Sequence, residues 1–293
     1  MLKQKWLATI PCMLLMGLPG CGRRSEGPVD AMVDVGTHRL HIQCWGAGRP
    51  TIVVDTGAQE TYERWLPLIE SLAKDTRVCA YDRAAHGKSD PGPMPRDAQR
   101  EMDELHTLLG KAGERDPFLL LGHSLGAVNL QVYAAAYPKE VAGLVLLDPP
   151  PLDWLVGDNY PEYRSLFSEG AKSNRALAAA ALSSAQLQER AKADSLLAVA
   201  SEIEELFGKS AAQVAAIHTF GEVPLVVIGA TAPNPGPTGE SFRQFWNSES
   251  QELAGMSARG QFIAAEGSSH SIYLDAPDLV HRVIRQMLSE IRG

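Results

Sequence analysis

The feature that most constrains this chain is the stretch from Phe118 to Ala127, which reads F-L-L-L-G-H-S-L-G-A. An apolar run typical of a buried strand leads into G-H-S-L-G at residues 122–126, and helix-forming residues follow. This setting favours a serine at the tip of a sharp strand-to-helix turn, where the backbone is strained. Side chains two residues before and after Ser124 would collide, so Gly122 and Gly126 supply the room. The stretch therefore predicts an exposed serine hydroxyl at a sheet edge, with an ordinary glycine-rich turn as the alternative.

Length and composition narrow the function classes. The chain has 293 residues, of which 45% are hydrophobic and 21% charged, and this fits one large globular domain. The formal net charge is -8 and no basic stripe is present, which argues against a nucleic-acid partner. Neither Cys-x-x-Cys nor His-Glu-x-x-His occurs in the sequence, so we predict no metal site and no cofactor.

The first 20 residues predict a signal peptide rather than part of the fold. Lys3 and Lys5 form a basic start, and a mostly apolar run follows from Trp6 to Leu18. That run is too short to span a bilayer comfortably and has the length of an export signal. We therefore expect the protein to be exported to the bacterial cell envelope, the periplasm or the medium.

The end of this segment reads L-P-G-C at residues 18–21 and resembles a bacterial lipobox. The resemblance implies that Cys21 is lipidated, becomes the mature N-terminus and anchors the protein to a membrane. The proline is atypical for such a motif, so soluble export after ordinary cleavage and a retained anchor stay as alternatives. Residues 21–28 are interpreted as a short polar tether.

Strand and helix patterns alternate along the rest of the chain. Short apolar or β-branched runs predict strands, and amphipathic segments between most of them predict helices. Such alternation favours an α/β fold with a mostly parallel sheet covered on both faces, and places functional groups at the carboxyl ends of the strands. The predicted strands are residues 29–35, 39–45, 51–55, 77–81, 118–122, 141–147, 223–228 and 261–265.

Residues 149–220 differ from this pattern, because three prolines are followed by a long alanine-rich stretch with helix signals. We interpret them as an all-helical insertion between two strands. Two capping boxes are predicted in it, at Ser183-x-x-Gln186 and at Ser210-x-x-Gln213. Near the C-terminus, Asp275 is predicted to cap a strongly amphipathic final helix.

Five motifs follow one another along the chain: Gly57-Ala58 after a strand, Tyr81-Asp82-Arg83-x-x-x-Gly87-x-Ser89, Gly122-His123-Ser124-Leu125-Gly126, a strand ending in Asp148, and Ser269-His270 after the last strand. In this order they resemble the α/β-hydrolase superfamily over roughly residues 29 to 292. The resemblance implies an eight-stranded core formed by residues 29–148 and 221–293, with residues 149–220 as a helical lid.

The resemblance implies a serine hydrolase that cleaves a small carboxylic ester through an acyl-enzyme. Ser124 would be the nucleophile and His270 its base, with His86 as the main competing histidine. Backbone N–H groups of Leu125 and Ala58 would form the oxyanion hole. Small amides or N-terminal prolyl peptides are alternative substrates, and a non-catalytic binding protein on the same fold is the alternative class.

The acid of the triad is where the sequence departs from the commonest pattern of the family. The loop after the seventh strand, residues 229–239, holds no carboxylate before Glu240. Some family members use the end of the sixth strand instead, where Asp148 stands. We therefore predict Asp148, with Glu240 as the rival and a merely turn-forming Asp148 as a further possibility. Asp275 and Asp278 are explained better as the cap and first turn of the last helix.

Two cysteines remain once Cys12 leaves with the signal and Cys21 carries lipid. Cys44 and Cys79 each lie inside a predicted strand. The strand order of the family makes those strands neighbours, and an exported protein can form a disulfide. Two buried free thiols are the alternative, since unpaired cysteines usually behave as small core residues.

Overall fold

The structure is a computed structural model that describes residues 28–186 and 192–293. The predicted signal peptide, the lipobox with Cys21 and the tether up to residue 27 lie outside the described residues. Within them is an eight-stranded sheet in which every predicted strand is present. The strands are β1 (Val29–Asp34), β2 (Arg39–Trp45), β3 (Thr51–Asp55), β4 (Val78–Tyr81), β5 (Phe118–His123), β6 (Val141–Leu147), β7 (Leu225–Ala230) and β8 (Gly260–Ala265).

The strands lie in the order β1-β2-β4-β3-β5-β6-β7-β8. β1 pairs antiparallel with β2 and β2 with β4, and all further pairs are parallel. Every residue of β3, β4, β5 and β7 is buried, as expected for parallel strands covered on both faces. The predicted α/β class with a mostly parallel sheet is confirmed. β5, which leads to Ser124, lies near the middle of the sheet.

Helices cover both faces of this sheet. α2 and α3 pack with the inserted helices on one face, and α1 packs with the last helix on the other. The last helix buries the apolar stripe that the sequence predicts. The helices are α1 (Leu66–Leu72), α2 (Ala98–Lys111), α3 (Leu125–Ala136), α4 (Leu152–Val156), α5 (Pro161–Ser183), α6 (Ala193–Leu206), α7 (Lys209–Ala215), α8 (Gly239–Ala254), α9 (Ile272–Asp275) and α10 (Pro277–Arg292). Among the described residues, none of these helices combines the length and the apolar character that crossing a bilayer requires.

The segment between β6 and β7 holds helices α4 to α7, and α5 packs along α6. The capping boxes predicted there are wrong. Ser183 is the last residue of α5, and Ser210 lies inside α7. The Ser210 hydroxyl instead accepts the Ala98 N–H at 2.9 Å, and the Gln213 side-chain oxygen accepts the Gln99 N–H at 3.0 Å. These two side chains therefore satisfy the open N–H groups at the start of α2 rather than those of their own helix.

Asp275 also has a different role from the one predicted. It ends the short helix α9, while α10 begins two residues later at Pro277. Its carboxylate accepts the Ser269 N–H at 2.8 Å and the Ser269 hydroxyl at 2.6 Å. The prediction fails because a short extra helix intervenes, and Asp275 therefore holds the segment that precedes His270. Asp278 does lie in the first turn of α10, as predicted.

A disulfide joins Cys44 and Cys79 in this structure. The antiparallel register of β2 and β4 places the two residues directly opposite each other. Both are buried, so the bond crosslinks the antiparallel side of the sheet beneath its covering helices.

Candidate active site

The turn between β5 and α3 holds Ser124 in a conformation that only a special environment maintains. Its φ of 52° and ψ of −118° lie outside the regions that non-glycine residues usually occupy. The Ser124 N–H donates to Leu147 O on the neighbouring strand at 3.0 Å. A Cβ at Gly126 would lie 2.3 Å from Asp55 O, and one at Gly122 would lie 2.8 Å from the backbone on the far side of the turn. Both positions therefore require glycine for steric reasons. The missing side chain at Gly126 also allows the end of β3 to pack against the turn.

The N–H groups of Leu125 and Ala58 belong to two segments that meet beside this turn. Leu125 is the first residue of α3, and Ala58 follows Gly57 after β3. A Cβ at Gly57 would lie 2.9 Å from the ring of His123, so the loop after β3 contacts the turn closely. In the described part of the chain, neither N–H has an intramolecular acceptor. The N–H of Leu125 is open because it lies in the first turn of a helix, and that of Ala58 because the loop gives it no acceptor, so both are available to an oxygen atom of a ligand.

His270 lies in the loop between β8 and α9, and its side chain is 40% exposed. Its Nδ1 lies 2.6 Å from Oδ2 of Asp148, which is fully buried after β6. Asp148 has a φ of 45°, and its other oxygen accepts the Ala230 N–H at 3.0 Å. The backbone of β7 therefore holds the Asp148 carboxylate in place. Because Asp148 contacts Nδ1 of His270, the other ring nitrogen, Nε2, is left for other partners.

Arg243 is a member of this cluster that sequence reasoning missed. It lies in α8, is buried, and its Nη1 donates to Oδ1 and Oδ2 of Asp148 at 2.7 and 3.0 Å. Burial alone would raise the pKa of Asp148, but the hydrogen bond from His270 and the charges of His270 and Arg243 outweigh burial, so the pKa lies below its ordinary value. The available signal was a lone arginine on an aromatic helix face, between Phe242 and Trp246.

The basicity of His270 is set by opposing contributions. Burial lowers its pKa, and electrostatic interactions with His123 and Arg243 act in the same direction. The hydrogen bond and charge of Asp148 raise it but do not compensate fully, so the pKa of His270 lies below its ordinary value. The imidazole is therefore neutral at neutral pH, which is the form that can accept a proton.

The rival residues are placed elsewhere. Glu240 is exposed in the first turn of α8, where its carboxylate accepts a hydrogen bond from Gln244 at 3.0 Å. His86 is buried, and its Nε2 lies 2.8 Å from the carboxylate of Glu202. The geometry thus brings Asp148 to His270 and leaves Glu240 and His86 in other surroundings.

His123 ties the two loops of the site together, a role that the sequence did not suggest. Its Nε2 donates to the carbonyl oxygen of His270 at 2.9 Å, and its Nδ1 lies 3.4 Å from Glu60. Glu60 also accepts the Gly57 N–H at 3.0 Å and the Tyr273 hydroxyl at 2.9 Å. Burial would raise the pKa of Glu60, but these hydrogen bonds and the electrostatic interaction with His123 lower it to about 2. An ionised Glu60 therefore links the Gly57 loop to the histidine loop.

An aromatic cluster borders the site on the side of the inserted helices. Trp246 stands edge-on to His270, with ring centroids 5.8 Å apart. Trp154 of α4 is fully buried against Phe207, Phe242 and Trp246, at centroid distances of 5.0, 5.4 and 5.7 Å. On this side His270 therefore faces the buried ring of Trp246, which is backed by the rest of the aromatic cluster.

Comparison with known proteins agrees with this architecture. A sequence model described as the alpha/beta hydrolase family matches residues 46–283. The uncharacterized protein YqjL of Bacillus subtilis is 28% identical over 247 residues, which cover 82% of this chain and 83% of YqjL. Lipase LipV of Mycobacterium tuberculosis is 35% identical over 111 residues, 38% of this chain and 41% of LipV. The crystal structure of MGS-M2, an alpha/beta hydrolase enzyme from a Medee basin deep-sea metagenome library, has a TM-score of 0.66 and 15% identity, covering 88% of this chain and 97% of that chain.

Proposed function

The chain belongs to the alpha/beta hydrolase family, and on this premise we propose that it is a serine hydrolase that cleaves small carboxylic esters through an acyl-enzyme. Ser124, His270 and Asp148 form the proposed triad. The observation that carries the proposal is the 2.6 Å contact between His270 and a fully buried Asp148, beside a strained turn that presents Ser124. This contact supplies the histidine with an orienting acid, and the proposal assigns that histidine to Ser124 as its base.

In the proposed mechanism, Ser124 Oγ attacks the ester carbonyl while His270 Nε2 accepts its proton. Asp148 holds the imidazole through Nδ1 and stabilises the imidazolium that forms. The negative charge on the carbonyl oxygen is bound by the N–H groups of Leu125 and Ala58. His270 then protonates the departing alkoxide, and a water molecule activated by the same histidine releases the acid and frees Ser124.

The substrate class follows from the chemistry that the site offers. A serine nucleophile, rather than an aspartate, favours acyl transfer over the opening of epoxides or the displacement of halide. The Trp246 ring beside His270, with Trp154 packed behind it, suits an uncharged acyl group of small or moderate size. We infer that helices α4 to α7 act as a lid over Ser124 and shape the space that receives the acyl group of the substrate. A non-catalytic binding role is disfavoured, because it needs neither the strained Ser124 nor the buried Asp148 beside His270.

The direct test uses a fluorophosphonate probe and p-nitrophenyl acetate and butyrate. The wild-type protein should be labelled once and should hydrolyse the esters, while Ser124→Ala should do neither. Ser183→Ala is the matched control, because this serine is exposed at the end of α5. Labelling that survives in Ser124→Ala would refute the proposed nucleophile. A correctly folded wild type without labelling or turnover on esters, amides and aminoacyl substrates would support the binding-protein alternative.

We further propose that the mature protein is a lipoprotein anchored through Cys21. The basic start and the L-P-G-C motif at residues 18–21 support this. Labelled palmitate should enter the wild type and not Cys21→Ser. Mass spectrometry that finds an unmodified mature N-terminus would refute the anchor and would support soluble export.

A further inference from the structure

A second buried polar cluster lies beside the active site and belongs to no step of the mechanism above. Its centre is Arg83, in the loop after β4, which is only 3% exposed. Three acids approach the guanidinium: Asp55 at 2.8 Å, Glu202 at 3.0 Å and Glu101 at 3.7 Å. Together they hold the pKa of Arg83 well above its ordinary value, although burial acts in the opposite direction. A cation fixed in this way is well suited to hold a neighbouring element in place.

The element that Arg83 binds is the loop proposed to form the oxyanion hole. Its Nη1 donates to Thr56 O at 2.8 Å, and its Nη2 donates to Gly57 O at 2.9 Å. Two successive carbonyls are thus held by one rigid, planar group. A trans peptide unit is planar, with its C=O and N–H pointing in opposite directions. Fixing Gly57 O therefore fixes the direction of the Ala58 N–H, which points away from Arg83.

The inserted helices between β6 and β7 also contribute a residue to this cluster, Glu202. Glu202 lies in α6 and is 1% exposed. Its Oε1 is 2.8 Å from His86 Nε2 and 3.0 Å from Arg83 Nε, while its Oε2 has no hydrogen-bond partner within the described residues. Burying a carboxylate with one oxygen unsatisfied is unfavourable for stability, which makes Glu202 a candidate for a role other than stabilising the fold.

We propose that Arg83 is a positioning residue that aims the Ala58 N–H into the oxyanion hole, and that Glu202 makes this alignment depend on the docking of α6 against the core. The inference rests on the proposed function, because an oxyanion hole has meaning only for acyl transfer. When α6 is docked, Glu202 balances the pull of Asp55 and Glu101 on the guanidinium. When that charge is removed, Arg83 moves toward the remaining acids and its hold on Gly57 O weakens.

The chain offers two matched controls. Arg77 and Glu114 form another buried ion pair at 2.7 Å, but they lie at the opposite end of β4, away from the Gly57 loop. Glu204 lies on α6 two residues from Glu202, and it pairs with Arg175 on α5 at the surface. Glu114→Gln therefore reproduces the loss of a buried charge, and Glu204→Gln reproduces a charge change on the same helix.

The kinetic test compares Glu202→Gln with both controls on a p-nitrophenyl ester. Because the alignment of the Ala58 N–H matters most in the transition state, kcat should fall roughly 10- to 100-fold in Glu202→Gln while KM changes less than about threefold. A trifluoromethyl ketone, which binds as an oxyanion, should lose affinity by a similar factor. Arg83→Lys keeps the charge but loses the planar fork that holds the two carbonyls, so its kcat should also fall. Both controls should keep kcat within about threefold of wild type.

Hydrogen–deuterium exchange provides a readout that does not need activity. Amides of residues 56–60 should exchange faster in Glu202→Gln than in wild type and should be unchanged in both controls. If wild type shows no turnover and no probe labelling, the proposed function fails, while exchange still decides whether α6 controls the Gly57 loop. Unchanged exchange together with near-normal kcat in Glu202→Gln would overturn the inference. An equal loss of kcat in Glu114→Gln would also overturn it, because general destabilisation would then explain the effect.

Discussion

Replacing Arg243 with glutamine tests the electrostatic account of the site. Nη1 of Arg243 lies 2.7 and 3.0 Å from the two oxygens of Asp148, and both side chains are buried. Two unit charges with centres about 4 Å apart interact by about 4 kcal/mol at an effective dielectric constant near 20. Removing one member of a buried pair typically costs about 3–5 kcal/mol. We therefore expect Arg243→Gln to lose stability of this size at neutral pH, measured by urea unfolding followed by tryptophan fluorescence.

The same substitution should change the pH dependence of catalysis in a defined direction. In the proposed mechanism His270 must be neutral to accept the proton from Ser124, so kcat/KM should fall as the pH drops through the pKa of His270. Arg243 contributes to lowering that pKa. Without Arg243 the pKa should rise, and the acidic limb of the kcat/KM profile should move to higher pH.

Two control variants separate charge from shape in this experiment. Arg243→Lys keeps the positive charge and should leave the acidic limb close to that of wild type. Arg259→Gln removes an exposed arginine 3.6 Å from Glu290 and should alter neither stability nor the limb appreciably. An acidic limb in Arg243→Gln that stays in place or moves to lower pH would refute the electrostatic account of His270.

Three further predictions concern single groups. Asp148→Asn should lower kcat on the order of 10⁴-fold by analogy with other triads, whereas Glu240→Gln should keep a kcat near that of wild type. Circular dichroism checks that both variants are folded. The reverse result in folded variants would assign the role of the acid to Glu240. Gly126→Ala should reduce the yield of folded protein or lower the thermal midpoint strongly, because its Cβ would lie 2.3 Å from a backbone oxygen of β3; a wild-type midpoint would show that the turn can relax. The double variant Cys44→Ala/Cys79→Ala should lose about 2–4 kcal/mol, and two titratable thiols in the denatured, unreduced wild type would show that the disulfide does not form.

The pKa of Asp148 also predicts how stability responds to acid. A carboxyl whose pKa is lowered in the folded state contributes stability that is present above its ordinary value of 3.8. That contribution is lost as the pH falls below 3.8 and the carboxylate becomes protonated. Arg243 is one of the groups that lower the pKa of Asp148. As the pH falls below 3.8, the free energy of unfolding should therefore decrease less in Arg243→Gln than in wild type.

The part of the site that the sequence predicted rests on local sterics. The strained turn at Ser124 needs glycines on both sides, and this requirement can be read within ten residues. The position of His270 after the last strand and the alternation of strands and helices are similarly local patterns, since apolar periodicity reports which faces of an element are buried. The resemblance then ordered the strands and predicted which ends meet.

What the sequence left open or missed depends on contacts between distant residues. Asp148 and His270 are separated by 122 positions, and the sequence alone left Glu240 as a rival. Asp148 and not Glu240 contacts His270 because of the loop after β7: its Thr231 and Ala232 N–H groups donate to Ser268 O, and α8 begins only at Gly239, so Glu240 stays exposed. The same arrangement of α8 points Arg243 inward.

Hydrophobic patterns and backbone sterics thus determined the fold class, the order of the elements and the serine turn, because each acts over a short window of the chain. Tertiary structure decided the partners of polar groups: the contacts of Asp148, Asp275 and Ser210, the link through His123, and the binding of the Gly57 loop by Arg83. A carboxylate or hydroxyl can satisfy its hydrogen bonds in many local ways. Only the sheet order, the strand register and the docking of helices select among those alternatives, and no short stretch of sequence encodes these three properties.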